Sequence, residues 1–210
     1  MSEDTPNTDI QTASLLRRDI PVVIAGRTSR QLGQDIAWGL GGYLHPVQIE
    51  TFSDGEIGIE LDASVRQRQV FIIQTMAAPI HDNLMELLLL IDACKRASAA
   101  EITVVAPYMV YSRQDRKARP RSPISAKVVA NMIERAGADR ILTFDLHSGQ
   151  VQGFYDIPCD NLPAAAVMAP VVQNAMLADN PCIVATDMNG MHRARSFAAR
   201  MGAEDEIPLA

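Results

Sequence analysis

The feature that most constrains this chain is an alternation of short β-branched runs with longer amphipathic ones. Ile20–Ala25 (IPVVIA) and Glu101–Ala106 (EITVVA) are short, apolar and rich in Ile and Val, and Arg140–Phe144 (RILTF) is a third short apolar run. Such runs read as strands buried on both faces. Thr28–Leu40 follows the first, with Leu32, Ile36 and Leu40 at helical spacing, and Gly41-Gly42 ends it. Leu84–Ala99 carries a wide apolar stripe: Leu84, Leu87, Leu88, Ile91 and Cys94. Ser125–Ala136 is a third helix, closed by Gly137. Val47–Phe52, Gly58–Leu61 and Gln69–Gln74 read as further strands, and Asp54-Gly55 between the first two is a hairpin signal. The pattern predicts an α/β protein with a mainly parallel sheet.

From Gln150 the texture changes. QVQGFYDIPCDNLP reads as a connector. Beyond it, Ala164–Leu177 is predicted helical, Cys182–Thr186 (CIVAT) a strand and Gly190–Met201 a helix. The expected division is a flexible tail over 1–18, a first domain over 19–149 and a second over 150–210.

Composition removes several classes. Of 210 residues, 48% are apolar and 21% charged, which rules out disorder and fibrous repeats. The formal net charge of −6 argues against a nucleic-acid coat. The three cysteines, Cys94, Cys159 and Cys182, lie far apart and fit no zinc spacing, so reduced thiols and a cytoplasmic location are expected. The most apolar stretch, Leu84 to Cys94, is too short to span a membrane and holds Glu86 and Asp92. There is no Walker A, GxGxxG, HExxH or GxSxG pattern.

Parallel sheets gather ligands at the carboxyl ends of their strands. That rule singles out the segments after Ala106, Phe144 and Thr186. The first, YMVYSRQDRKARPR (108–121), places Arg113, Arg116, Lys117, Arg119 and Arg121 within ten residues. It reads as a polyphosphate grip or as a solvated basic loop, and its place at a strand end favours the anion. Tyr108 and Tyr111 either flank a base or pack. The second segment sets His147 beside Asp145. It suits a phosphate or a metal-bound nucleotide, or merely the local backbone. In the third, Asp187 is either a metal ligand or an ordinary helix cap.

The stretches FSDGEI (52–57), DNLMELLLLIDACKRASAAEIT (82–103), YSRQDRK (111–117), PISAKVVANMIERAGADRILTFDLHSGQVQGFYDIPCDNL (123–162) and RARSFAARMGA (193–203) closely resemble the ribose-phosphate pyrophosphokinase family. The resemblance runs over about residues 20–203. It implies two phosphoribosyltransferase-like α/β domains. It also implies transfer of pyrophosphate from MgATP to the C1 hydroxyl of ribose 5-phosphate, with AMP as coproduct. Position by position, Arg113 and Gln114 match residues that hold ATP, and His147 and Asp187 match residues that engage Mg²⁺ with ATP. Phe52, Asp54 and Glu56 match a segment that closes over adenine from a neighbouring subunit, which implies an oligomer.

Two departures stand out. Asp187-Met188-Asn189-Gly190 replaces the family's Asp-x-Gly-Gly. From Gly202 the sequence reads GAEDEIPLA, without the family's Lys-Arg loop or its ribose-phosphate loop. The second domain is therefore expected to be incomplete, with no catalytic residue assigned. The alternative expectation is a non-catalytic partner in mixed oligomers with a full-length synthetase.

Overall fold

The computed structural model describes residues 20–175, 182–185 and 187–201. The chain divides into two compact units, 1–161 and 162–210.

The first unit is built on a five-stranded sheet. Strands β1 (Val22–Ala25), β4 (Gln69–Ile73), β5 (Glu101–Ala106), β6 (Arg140–Phe144) and β7 (Cys159–Leu162) stand in the order β1-β4-β5-β6-β7. The β1–β4, β4–β5 and β5–β6 pairs are parallel, with Val22 opposite Val70, Ile72 opposite Val104 and Val104 opposite Ile141. Because side chains alternate along a strand, each strand feeds both faces. On one face Val22, Ile24, Val70, Ile72, Ile102, Val104 and Ile141 pack with Leu87, Leu90 and Ile91 of α2 (Ile80–Arg96) and Val129 and Ile133 of α3 (Ser125–Ala136). On the other, Val23, Ala25, Ile73 and Val105 pack with Ala37 of α1 (Arg30–Gly39).

Helix α1 corrects the face read from sequence. Ile36 packs on the sheet as expected, but Leu32 and Leu40 are exposed, and the fully buried stripe is Ser29, Gly33 and Ala37. The reason is steric. A Cβ added at Gly33 would stand 2.6 Å from the Ala25 Cβ, so only small residues let this helix approach the sheet so closely. Helix α2 begins four residues earlier than its apolar stripe suggests, immediately after Pro79, and takes Asn83 and Glu86 into the interior with its leucines.

Strands β2 (Val47–Thr51) and β3 (Ile57–Leu61) form the predicted antiparallel hairpin, with Thr51 opposite Ile57. It stands outside the main sheet and packs through Val47, Ile49, Ile59 and Leu61 on the core. The segment read as a connector after Gln150 is part of the first unit. It forms a 3₁₀ turn over Gly149–Phe154 and then β7, so this unit reaches Asn161 and not 149. β7 (CDNL) is a polar edge strand without alternation, which is why it does not read as a strand.

In the second unit, α4 (Ala165–Ala175) and α5 (Met191–Arg200) pack on each other, with Ala169 and Met201 buried and Ile183 and Phe197 against them. The strand expected over 182–186 is not formed: residues 182–185 hold only a single bridge residue, Ile183. The tail over 1–18 and Thr186 lie outside the described residues. No helix among the described residues is long and apolar enough to cross a membrane.

Candidate functional site

Because β5 and β6 run parallel, the segments that follow them leave the same edge of the sheet. Met109 and Val110 root the first in the core, 3% and 1% exposed, before the chain turns outward. Tyr111 takes a left-handed conformation (φ 58°), and so does Arg121 (φ 64°) at the far end of the loop. Neither is glycine, so the fold imposes both conformations against local preference. The Tyr111 ring is half-buried against the core, with its hydroxyl 3.3 Å from His81 Nδ1, whereas Tyr108 is exposed.

Arg113 and Gln114 follow directly, and both are exposed. Gln114 is fixed at the start of α3. Its carbonyl accepts from the Ala126 N–H at 3.2 Å, and its Oε1 accepts from the Ser125 hydroxyl at 2.6 Å. The loop thus sits at a helix N-terminus, whose dipole favours an anion, although the Ala126, Lys127 and Val128 N–H groups are already taken by backbone carbonyls. Arg113, Arg116, Lys117, Arg119 and Arg121 are all exposed, and none forms an ion pair with another described residue. Five unneutralised cations in one short loop attract a multiply charged anion.

The segment after β6 is held from both sides. Asp145 is left-handed (φ 41°) and exposed. Leu146 is buried, and its N–H donates to Asn161 Oδ1 at 3.0 Å, so polar β7 braces this turn. His147 is exposed. Ser148 donates its hydroxyl to Asp115 Oδ2 at 3.0 Å, tying this turn to the basic loop. The structure therefore brings Arg113, Gln114 and His147 onto two linked loops. Asp115 and Ser148 make that link and escaped sequence reasoning, since nothing local relates residues so far apart in the chain.

Phe52, Asp54 and Glu56 sit on the tip of the β2–β3 hairpin. Phe52 N–H donates to the Glu56 carbonyl at 2.8 Å, Gly55 is left-handed (φ 94°), and Asp54 Oδ1 accepts from the Glu56 N–H at 3.1 Å. The Phe52 ring lies over Gly58, where a Cβ would stand 2.7 Å from its edge, yet the residue remains exposed. The tip thus offers an aromatic face and two carboxylates.

Asp187 belongs to the second unit. Its Oδ1 accepts from the Gly190 N–H at 2.7 Å, capping the short 3₁₀ turn that precedes α5. This is the helix-cap arrangement, and it leaves the other carboxylate oxygen without a protein partner among the described residues. No group of three His, Cys, Asp or Glu side chains suited to a metal occurs among the described residues. The cysteines form no disulfide. Burial pushes the Cys94 thiol up to about 12 and Cys159 up to about 11, so neither is nucleophilic at neutral pH.

Residues 21–137 match the family model for the N-terminal domain of ribose phosphate pyrophosphokinase. The chain belongs to the ribose-phosphate pyrophosphokinase family. The ribose-phosphate pyrophosphokinase of Wolinella succinogenes is 50% identical over 182 residues, 87% of this chain and 59% of that protein. That of Aquifex aeolicus is 46% identical over 180 residues, 86% of this chain and 58% of that protein. The crystal structure of phosphoribosylpyrophosphate synthetase from Mycobacterium smegmatis superimposes with a TM-score of 0.82 at 37% identity, over 90% of this chain and 62% of that one. The chain thus spans about three fifths of the length of these pyrophosphokinases, and its fold is the phosphoribosyltransferase-like α/β fold with a mainly parallel sheet.

Proposed function

We propose that this chain binds MgATP on the linked β5 and β6 loops and presents it for pyrophosphoryl transfer to ribose 5-phosphate. In that reaction the C1 hydroxyl oxygen bonds to the β-phosphorus and gives up its proton to water. The bond from the β-phosphorus to the α,β-bridging oxygen breaks, and AMP leaves with the electron pair. Such transfers rest on positioning and on neutralising phosphate charge. The observation that carries the reading is the Ser148–Asp115 hydrogen bond, which fastens His147 beside a loop of five unpaired cations.

Within this reading each residue has a distinct task. Arg113 grips phosphate oxygens with its guanidinium fork. Gln114, immobilised by Ser125, orients the nucleotide. His147 donates to a phosphate oxygen or accepts from water held by the metal. Phe52 covers adenine while Asp54 and Glu56 meet its polar edge, in a site completed by another copy of the chain or by a full-length synthetase.

Magnesium suits this donor set. A nucleotide-borne Mg²⁺ takes most of its ligands from phosphate and water and needs only one or two protein oxygens. His147 would act on the ion through water, and the unengaged oxygen of Asp187, in the second unit, is a donor of the type Mg²⁺ takes. When bound, Mg²⁺ supplies neutralisation of the phosphate charge. The second unit is read as the start of a second phosphoribosyltransferase-like domain.

The test is calorimetric titration of MgATP into the wild-type chain and into Arg113→Ala. Arg113 is exposed, so the variant keeps its stability. Loss of a charge-assisted contact predicts binding weaker by about tenfold or more. Unchanged affinity contradicts the reading.

A further inference from the structure

Glu86 is a carboxylate in the middle of a leucine-rich helix, and it is 1% exposed. A buried carboxylate is costly unless several donors meet it. Here the donors converge from the ends of two neighbouring strands. The Arg27 N–H donates to Oε1 at 2.7 Å, Arg27 Nε donates to Oε2 at 2.6 Å, and Gln74 Nε2 donates to Oε1 at 3.3 Å. Gln74, fully buried, also donates to the Asn83 carbonyl, and Asn83 donates to the Ala77 carbonyl. Gly26 admits the cluster, since a Cβ there would stand 2.5 Å from Glu86 Oε1.

Arg27 has one more engagement. Its Nη1 donates to Thr51 Oγ1 at 2.8 Å. Thr51 is the last paired residue of β2, and Phe52 follows it at the tip. The hairpin is two-stranded and lies outside the sheet, a kind of element that is marginal without outside support. Its apolar side chains seat its body on the core. The Arg27–Thr51 bond holds the end that carries Phe52, Asp54 and Glu56.

We infer that Arg27 is a positioning residue for base recognition: clamped by buried Glu86, it fixes the β2–β3 tip so that Phe52 meets the purine of the nucleotide. The inference rests on the proposed ATP role of the hairpin and adds the residue that sets its position. Arg27 touches the hairpin and not the nucleotide, so its removal weakens recognition of the base while the phosphate grip of the basic loop persists.

The test compares affinities of the full chain for MgATP and for magnesium tripolyphosphate, which lacks the base. Thr51→Val leaves the Arg27–Glu86 pair whole and keeps a β-branched strand residue, so it folds even where Arg27→Ala does not. The expected result for Thr51→Val is MgATP binding weaker by about three- to tenfold with tripolyphosphate binding unchanged. Arg27→Lys, whose single ammonium cannot serve Glu86 and Thr51 together, shows the same selective loss. Phe52→Ala tests the underlying reading separately. If Phe52→Ala weakens MgATP selectively and Thr51→Val does not, the positioning role is overturned and the hairpin reading stands. If Phe52→Ala leaves MgATP binding unchanged, the hairpin reading fails, and the positioning role fails with it.

Discussion

The two units use the same kinds of sequence and reach different ends. EITVVA and CIVAT are both short, β-branched and apolar. The first forms β5, with neighbours on both sides and five of its six residues buried. Among its described residues the second yields only a bridge residue at Ile183, and Val184 is 68% exposed. A strand is therefore not a property of its own six residues. It needs a partner to take its backbone hydrogen bonds and a helix to cover its side chains. In the first unit, strands bracketing β5 supply the one and α2 and α3 the other. In the second, among the described residues, α4 and α5 pack mainly on each other, and Val167, Met168 and Val171 of α4 are exposed.

The largest expected effect separates the two cores. Leu87→Ala, at a fully buried position against the sheet, should cost about 2–5 kcal/mol in urea unfolding. Phe197→Ala, half-buried between α4 and α5, should cost about 1–2 kcal/mol. Equal losses would break the contrast between a covered sheet and a helix pair.

A second prediction concerns acid. His45 is 4% exposed and stacks on Tyr43, with ring centroids 5.1 Å apart. Burial, helped by the nearby Arg68 charge, holds its imidazole down at about 4, against 6.5 when unfolded. The unfolded chain thus binds the extra proton between those values. Stability from this group is full above pH 6.5 and is lost as pH falls toward 4, on the order of 2 kcal/mol. His45→Leu should flatten the acid limb of urea midpoints measured from pH 7.5 to 4.5. An unaltered limb would remove His45 from the account of the first unit.

The smallest effect lies on α4. Val171 is 64% exposed, so Val171→Glu should change stability by no more than about 0.5 kcal/mol. A larger loss would mean that this face is covered in solution, and the contrast between the units would narrow.

What was legible in the sequence follows the same division. The bounds of β5, β6 and α3 match their periodic patterns because burial alone dictates them. Asp54-Gly55 announced the hairpin, because a tight turn needs that chemistry. The face of α1 was misread because its packing is governed by small residues, Gly33 and Ala37, while its large ones, Leu32, Trp38 and Leu40, face water. At the site, Gln114 was singled out by the resemblance alone, and the place of Arg113 and His147 after strand ends was legible from the strand pattern. The Ser148–Asp115 tie and the Arg27–Glu86–Thr51 clamp were not, since each joins residues distant in sequence. Glu86 alone left a trace, as a carboxylate on the leucine face of α2.

The decisive measurement is phosphorus NMR of the 210-residue chain with MgATP and ribose 5-phosphate. The account predicts AMP and phosphoribosyl pyrophosphate in equal amounts, with His147→Ala slowing both by about a hundredfold or more. A folded chain that binds MgATP and forms neither product would contradict pyrophosphoryl transfer at this site.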